Sequence, residues 1–124
     1  AADGGACVVL FSSGAVGPGF ANPASNPMGK GAIEGLTRAL AAELAPQIRV
    51  NAIAPSLSET PLAKPLIDDA RMAAGIAQLH ARQRLGRPGD LAEITAFLVS
   101  PRPDWITGPV IGVDGGRSRL RTKG

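Results

Sequence analysis

Two residues near the start of the chain, Asn26 and Lys30, raise the question of a reaction centre. Lys30 follows Asn26 by four positions in the stretch SNPMGKG, residues 25–31, and Asn26 stands where a reactive side chain would be expected. By residue type alone, Lys30 could equally be a surface lysine in the first turn of a helix. The Asn26 amide donates and accepts hydrogen bonds without a titratable proton near neutral pH. The chain has no tyrosine, so this centre lacks an obvious general acid.

A glycine-rich loop follows the first apolar segment and contains Gly14, Gly17 and Gly19. Their order is G-x-x-G-x-G, whereas the dinucleotide fingerprint is G-x-G-x-x-G. Pro18 and Pro23 also separate the segment from the next helix, and a phosphate turn needs that helix to begin immediately. We therefore expect these glycines to let the loop bend near a ligand rather than to hold a phosphate.

The other residues with chemical potential are few. His80 is the only histidine and Cys7 the only cysteine, so neither a disulfide nor a metal cluster is expected. His80 lies in the polar segment QLHARQR, which predicts a surface position. Asp68–Asp69 are expected to be solvated at the start of a helix, and Cys7 to be a small buried side chain.

Composition limits the class of protein. The 124 residues suffice for one domain, and the 44% hydrophobic content argues against disorder. No run of 18 apolar residues occurs, so we expect no membrane span and a cytoplasmic location. The net charge of +3 arises largely in the tail 117–124, whose basic residues lack interleaved aromatics, so no nucleic-acid partner is expected.

The hydrophobic pattern predicts alternating strands and helices. The predicted elements are a strand at 6–12, a helix that Asn26 caps and Pro46 ends, a strand at 48–54, a helix at 66–83, a helix from Pro88 and a strand at 109–116. This order favours right-handed βαβ units and a parallel sheet. Ligands bind beyond the carboxyl ends of such strands, here Ser12–Ser13, Pro55–Ser56 and Gly115–Gly116.

Burial can also be predicted from these patterns. The first strand, a β-branched run, should be buried on both faces. The inner face of the first helix should comprise Ile33, Leu36, Leu40 and Leu44. The second helix carries the apolar residues Leu66, Ile67, Ala70, Ala73 and Leu79, and the inner stripe of the third should comprise Leu91, Ile94, Thr95 and Leu98.

Four segments resemble the carboxyl half of short-chain dehydrogenase/reductases. They are VVLFSSGAVG, GKGAIEGLTRALAAELAPQIRVNAIAP, RLGRPGDLAEITAFLVS and WITGPVIGVDGG. The resemblance implies an α/β fold, a partial Rossmann-like doubly wound parallel sheet of about three strands with flanking helices. It assigns residues 1–116 to the carboxyl-terminal part of that domain and 117–124 to a basic tail.

The same resemblance implies roles for the residues of the reaction centre. Ser13 matches the catalytic serine that orients the substrate oxygen, and Lys30 matches the lysine that holds the nicotinamide ribose of NAD or NADP. Asn26 occupies the position of the tyrosine that is the family's general acid and base. The loop that wraps the nicotinamide matches Pro55, Ser56, Ser58 and Thr60, with Ser56 in place of the usual glycine.

Two functions remain open at this point. The chain resembles part of an NAD(P)-dependent oxidoreductase for a small carbonyl or alcohol substrate. The amino half of that family, which holds the adenosine, is not represented in the sequence, so weak or no activity is expected. The alternative is a non-catalytic module for oligomerisation or binding. Both the helix at 27–45 and the first strand, left as a bare sheet edge, favour a homo-oligomer.

Overall fold

A computed structural model describes residues 5–12, 25–56, 68–117 and 119–120, with the backbone alone at 25–30. The elements alternate as the sequence predicts. In chain order they are β1 (Ala6–Phe11), α1 (Ser25–Leu44), β2 (Ile48–Pro55), α2 (Ala70–Gln78), α3 (Pro88–Val99) and β3 (Val110–Val113).

The three strands form one parallel sheet in the order β1-β2-β3. Ala6 of β1 pairs with Ile48 and Phe11 with Ile53, while Ala52 of β2 pairs with Val110. Helices flank this sheet: α1 packs on β2 and β3, and α3 packs on β1. The predicted parallel α/β sheet with flanking helices is confirmed.

The core lies around the central strand, because β2 alone has a strand on each side among the described residues. Val50, Ala52 and Ile53 are fully buried there, and Leu98 of α3 is fully buried beside them. Polar groups also lie in this core. Asn51 is fully buried and donates from Nδ2 to the Ile106 carbonyl oxygen over 3.3 Å.

The start of α1 differs from the sequence prediction. Asn26 was expected to cap the helix, yet the helix already includes Ser25. Pro27 therefore lies at the third helical position. The first four amide positions of a helix have no partner within it, so a proline there costs no helical hydrogen bond.

The inner face of α1 was predicted only in part. Thr37 and Ala41 are buried on this helix, and Ile33, Leu40 and Leu44 are half-buried beside them. Leu36 was expected inside but is 48% exposed. The packed stripe is centred between Ile33 and Thr37, which leaves Leu36 at its margin.

Strand β1 is less buried than its apolar sequence predicts. Its residues are half-buried, and Phe11 is 50% exposed. A parallel strand loses its exposure only when both edges and both faces are covered. Among the described residues β1 pairs with β2 alone, so it forms an edge of the sheet. The Cys7 thiol, expected to be buried, is likewise half-buried and lies 3.7 Å from the Val99 carbonyl oxygen.

Two of the later elements are shorter than predicted. Helix α2 covers nine residues, and β3 ends at Val113, before the glycine turn. Of the apolar residues in the predicted helix, Ala70 and Leu79 are exposed, and Leu66 and Ile67 lie outside the described residues. Helix α3 matches its prediction, because Leu98 is buried and Leu91, Ile94 and Thr95 are half-buried.

Within the described ranges, no helix is both long and apolar enough to cross a bilayer. The same ranges contain no group of three or more side chains able to hold a metal ion.

Candidate functional site

The carboxyl ends of the strands lie at one edge of the sheet, as a parallel arrangement requires. The Ser12 amide donates to the Ile53 carbonyl oxygen over 2.9 Å, which ties the end of β1 to β2. Ser56 directly follows β2, and the turn Asp114–Gly116 directly follows β3. A cavity of about 450 Å³ opens between these last two ends, and Ser56 and Gly115 both line it. The predicted position for ligands is therefore concave in this chain.

A hydrogen-bonded serine and histidine form one wall of the cavity. Ser56 Oγ lies 2.8 Å from His80 Nε2, and His80 Nδ1 lies 2.9 Å from the Ile76 carbonyl oxygen. A carbonyl oxygen can only accept, so Nδ1 must carry a hydrogen. In a neutral imidazole Nε2 is then the acceptor, and Ser56 Oγ donates to it.

His80 was expected at the surface, and that prediction is wrong, because the side chain is only 2% exposed. Its neighbours in sequence, Gln78 and Leu79, are exposed. The inner face of α2 comprises Ala73, Ile76 and Ala77, and His80 follows Ile76 by four positions. The same helical spacing that identifies an apolar stripe could have found this histidine. Because the residues around His80 in the segment QLHARQR are mostly polar, the helical spacing from Ile76 to His80 was not recognised.

The start of α3 contributes an ion pair to the same cavity. Arg84 Nη1 and Nη2 lie 2.8 and 3.0 Å from the two carboxylate oxygens of Asp90. The Arg87 amide also donates to Asp90 Oδ2 over 2.7 Å. These hydrogen bonds, that of Arg84 above all, lower the pKa of Asp90 to about 2. Asp90 lies in the first turn of α3, and its carboxylate anchors the arginine.

The glycine turn after β3 also lines the cavity, next to His80. Gly115 and Gly116 have positive φ angles of 61° and 89°, which favour glycine. The Gly116 amide donates to Asp114 Oδ1 over 2.9 Å, and the Arg82 amide donates to the Gly115 carbonyl oxygen over 3.1 Å. The first residues of the basic tail continue this turn, since the Arg117 amide donates to the Asp114 carbonyl oxygen.

Most of the residues assigned by resemblance cannot be placed by their side chains. Ser13, Ser58 and Thr60 lie outside the described residues, whereas Asn26 and Lys30 are described as backbone in the first turns of α1. Among the assigned residues, Pro55 and Ser56 are described in full, at the end of β2.

Known proteins similar to this chain agree on one family. A family model described as enoyl-(acyl carrier protein) reductase matches residues 1–118. Dehydrogenase/reductase SDR family member 4 of Oryctolagus cuniculus is 41% identical over 119 residues, which cover 94% of this chain and 45% of that protein. The chain belongs to the short-chain dehydrogenase/reductase family. The 3-oxoacyl-[acyl-carrier-protein] reductase FabG of Thermotoga maritima is another relative, 40% identical over 100 residues, or 80% of this chain and 39% of its own.

Solved structures of short-chain dehydrogenase/reductases share the fold. A gluconate 5-dehydrogenase from Burkholderia cenocepacia, in complex with NADP and tartrate, superposes with a TM-score of 0.78 at 29% identity. The match covers 97% of this chain and 48% of that one. The chain thus spans about half the length of the relatives it matches.

Proposed function

We propose that this chain forms the carboxyl-terminal half of an NAD(P)-dependent oxidoreductase that acts on the carbonyl or hydroxyl group of a small molecule. The observation that carries the proposal is the parallel β1-β2-β3 sheet with Ser12 and Ser56 at its carboxyl edge, in a member of a family of such enzymes. An NADP complex of a structural neighbour supports the cofactor class.

In this proposal the residues of the reaction centre keep their family positions. Ser13 orients the substrate oxygen, and Lys30 holds the ribose next to the nicotinamide. Asn26 can hydrogen bond to the substrate oxygen, but it cannot exchange a proton with it. General acid–base catalysis contributes roughly 10²–10⁴ in rate, so the chain has weak or no activity as it stands.

The described residues at the end of β2 are compatible with a nicotinamide. Pro55 and Ser56 begin the loop that continues to Ser58 and Thr60, and the Ser56 hydroxyl is already bonded to His80. Backbone groups of this loop are therefore the ones that hold the cofactor in the proposal. When bound, the cofactor supplies or accepts the hydride, whereas the loop positions it.

A fluorescence titration with NADPH tests the first part of the proposal. We expect that this chain alone does not bind NADPH saturably at micromolar concentration. The segments of this chain match the carboxyl half of the family, whereas the amino half holds the adenosine part of the cofactor. The Burkholderia cenocepacia gluconate 5-dehydrogenase, solved with NADP, is the positive control. Saturable micromolar binding by this chain would show that half of the fold suffices for the cofactor.

A second candidate function is a non-catalytic module that assembles with further copies of the chain. The exposed edge of β1, with Phe11 half-exposed, and Leu36 on α1 favour it, since bare edges and apolar helix faces pair with other chains. Light scattering after size exclusion tests this candidate. A homo-oligomer is expected, and a monodisperse monomer of 12.6 kDa would contradict it.

A further inference from the structure

The side chains of Ser56 and His80 have no role in the proposed oxidoreductase chemistry, to which the loop at Ser56 contributes backbone groups. The resemblance assigns a glycine position to Ser56 and no role to His80. Yet the two side chains are joined at 2.8 Å, and the imidazole is held at its other nitrogen by the Ile76 carbonyl oxygen. This is the general arrangement of a nucleophile, a base and a group that orients the base.

We propose that Ser56 is an activated nucleophile that takes an acyl group from small neutral esters, with His80 as its general base. The tautomer inferred above leaves Nε2 free of hydrogen and ready to accept the serine proton. Burial of the imidazole and its bond to Ile76 keep the ring in that tautomer and orientation.

The cavity determines which substrates can reach the serine. Ser56 is half-buried and lines the space of about 450 Å³, a volume in the range of small-molecule sites. The charged residues of the described lining are three cations and three carboxylates, namely Arg82, Arg84, Arg119, Asp90, Glu93 and Asp114. Because these formal charges cancel, the cavity favours a neutral ester over an ionic one.

The acyl transfer is balanced without any further reagent. Ser56 Oγ bonds to the ester carbonyl carbon while its proton moves to His80 Nε2. The bond from that carbon to the alkoxy oxygen then breaks, and the proton returns from Nε2 to the departing oxygen. Water repeats both steps on the acyl-serine and releases the carboxylic acid. Neither oxidation nor reduction occurs, so the reaction is independent of a nicotinamide cofactor.

The test uses the full chain and p-nitrophenyl acetate as the probe. We expect one acetyl group per chain by intact mass, and peptide mapping should place it on Ser56. Ser56→Ala should abolish the labelling. Ser100→Ala is the matched control, because Ser100 Oγ bonds to the Phe97 carbonyl oxygen at the end of α3 rather than to a histidine.

A substitution of His80 tests its role as the general base, and circular dichroism shows whether the variant still folds. His80→Gln keeps a polar side chain that can accept the Ser56 hydrogen bond but cannot take up its proton. It should slow acetylation by about 10²-fold or more while the circular dichroism spectrum is retained. Should His80→Gln fail to fold, Ser56→Ala and Ser100→Ala still decide the site. The proposal is overturned by acetylation of other residues in preference to Ser56, by the absence of both acetylation and p-nitrophenol release, by p-nitrophenol release that Ser56→Ala does not reduce, or by a folded His80→Gln that reacts as fast as the parent.

Discussion

Arg49 Nη1 lies 3.2 Å from the Leu98 carbonyl oxygen, so a buried arginine of the central strand is bonded to the last turn of α3. Its other terminal nitrogen, Nη2, lies 3.0 Å from the Ser100 carbonyl oxygen. The carbonyl groups at a helix end have no partners within the helix, and a cation there is favoured by the helix dipole. Arg49 therefore joins the sheet to the helix that carries Asp90.

Loss of this connection should destabilise the fold. Arg49→Met retains most of the buried volume but removes both charged hydrogen bonds, and we expect the free energy of unfolding to fall by about 2–3 kcal/mol. Arg38→Met is the matched control, because the Arg38 side chain is 71% exposed and pairs with Glu34 one helical turn away. That control should cost less than about 0.5 kcal/mol. Urea unfolding of the two variants measures the difference, and equal effects would contradict the assigned role of Arg49.

Acid should weaken the contact between Arg84 and Asp90. The pKa of Asp90 is lowered from 3.8 to about 2 in the folded chain, so its carboxylate stabilises the fold above about pH 4. That contribution is lost as pH falls through about 2. We expect Asp90→Asn to lower the melting temperature at neutral pH, and the gap from the parent should close as the pH approaches 2.

A partner variant checks the cause of this pH dependence. Arg84→Met removes the main donor to Asp90, and its melting temperature should fall less steeply with acid than that of the parent. An unchanged acid profile in both variants would show that other groups control acid unfolding.

The glycine turn after β3 should not accept a side chain. A Cβ atom on Gly116 would lie 2.9 Å from Leu120 Cδ1 and 3.0 Å from Ala81 Cβ, at a φ of +89°. Gly116→Ala should therefore cost about 1–3 kcal/mol of stability. Gly35→Ala adds the same methyl group on α1, where nothing lies within 4 Å, and should stabilise the chain by about 0.5–1 kcal/mol. Thermal melts of the two variants should thus shift in opposite directions.

The proposed role of position 26 can be tested by introducing a tyrosine there. Asn26→Tyr in this chain alone should give no measurable carbonyl reduction with NADPH, because the match covers only about half of the NADP-bound structural neighbour. A chimera that joins the amino-terminal half of the Thermotoga maritima relative to this chain should reduce a 3-oxoacyl substrate when it carries Asn26→Tyr. The same chimera with Asn26 should be roughly 10²–10⁴-fold slower, and Lys30→Ala in the tyrosine version should lose most of the activity.

The possible outcomes of this experiment test cofactor use by the isolated chain, the identity of the proton donor and the proposed oxidoreductase function separately. Turnover by the isolated Asn26→Tyr chain would show that the residues of this chain suffice to bind and use the cofactor. Equal rates for the chimeras with and without the Asn26→Tyr substitution would show that another group donates the proton. A folded but inactive tyrosine chimera would contradict the proposed oxidoreductase function.

Local hydrophobic patterns predicted the helices and strands, because each pattern depends only on residues within one such element. On α3 the helical spacing predicts an inner stripe of Leu91, Ile94, Thr95 and Leu98. In the structure Leu98 is buried and the other three residues are half-buried. The alternation of strands and helices likewise favoured the parallel sheet that the structure shows. Predictions failed where burial depends on neighbours, as at β1, whose apolar residues are half-exposed because one described strand alone lies beside them.

The amino-acid sequence was sufficient for the class of fold, the family and the absence of tyrosine, since each follows from residue identity and spacing along the chain. The pairing of Ser56 with His80, 24 positions apart, depends on how α2 returns over the end of β2. The burial of Arg49 against α3 depends in the same way on a contact across 49 positions. Such contacts are made by chain segments distant in sequence, and no local pattern specifies which segments meet, because their geometry arises from packing of the whole sheet and its helices.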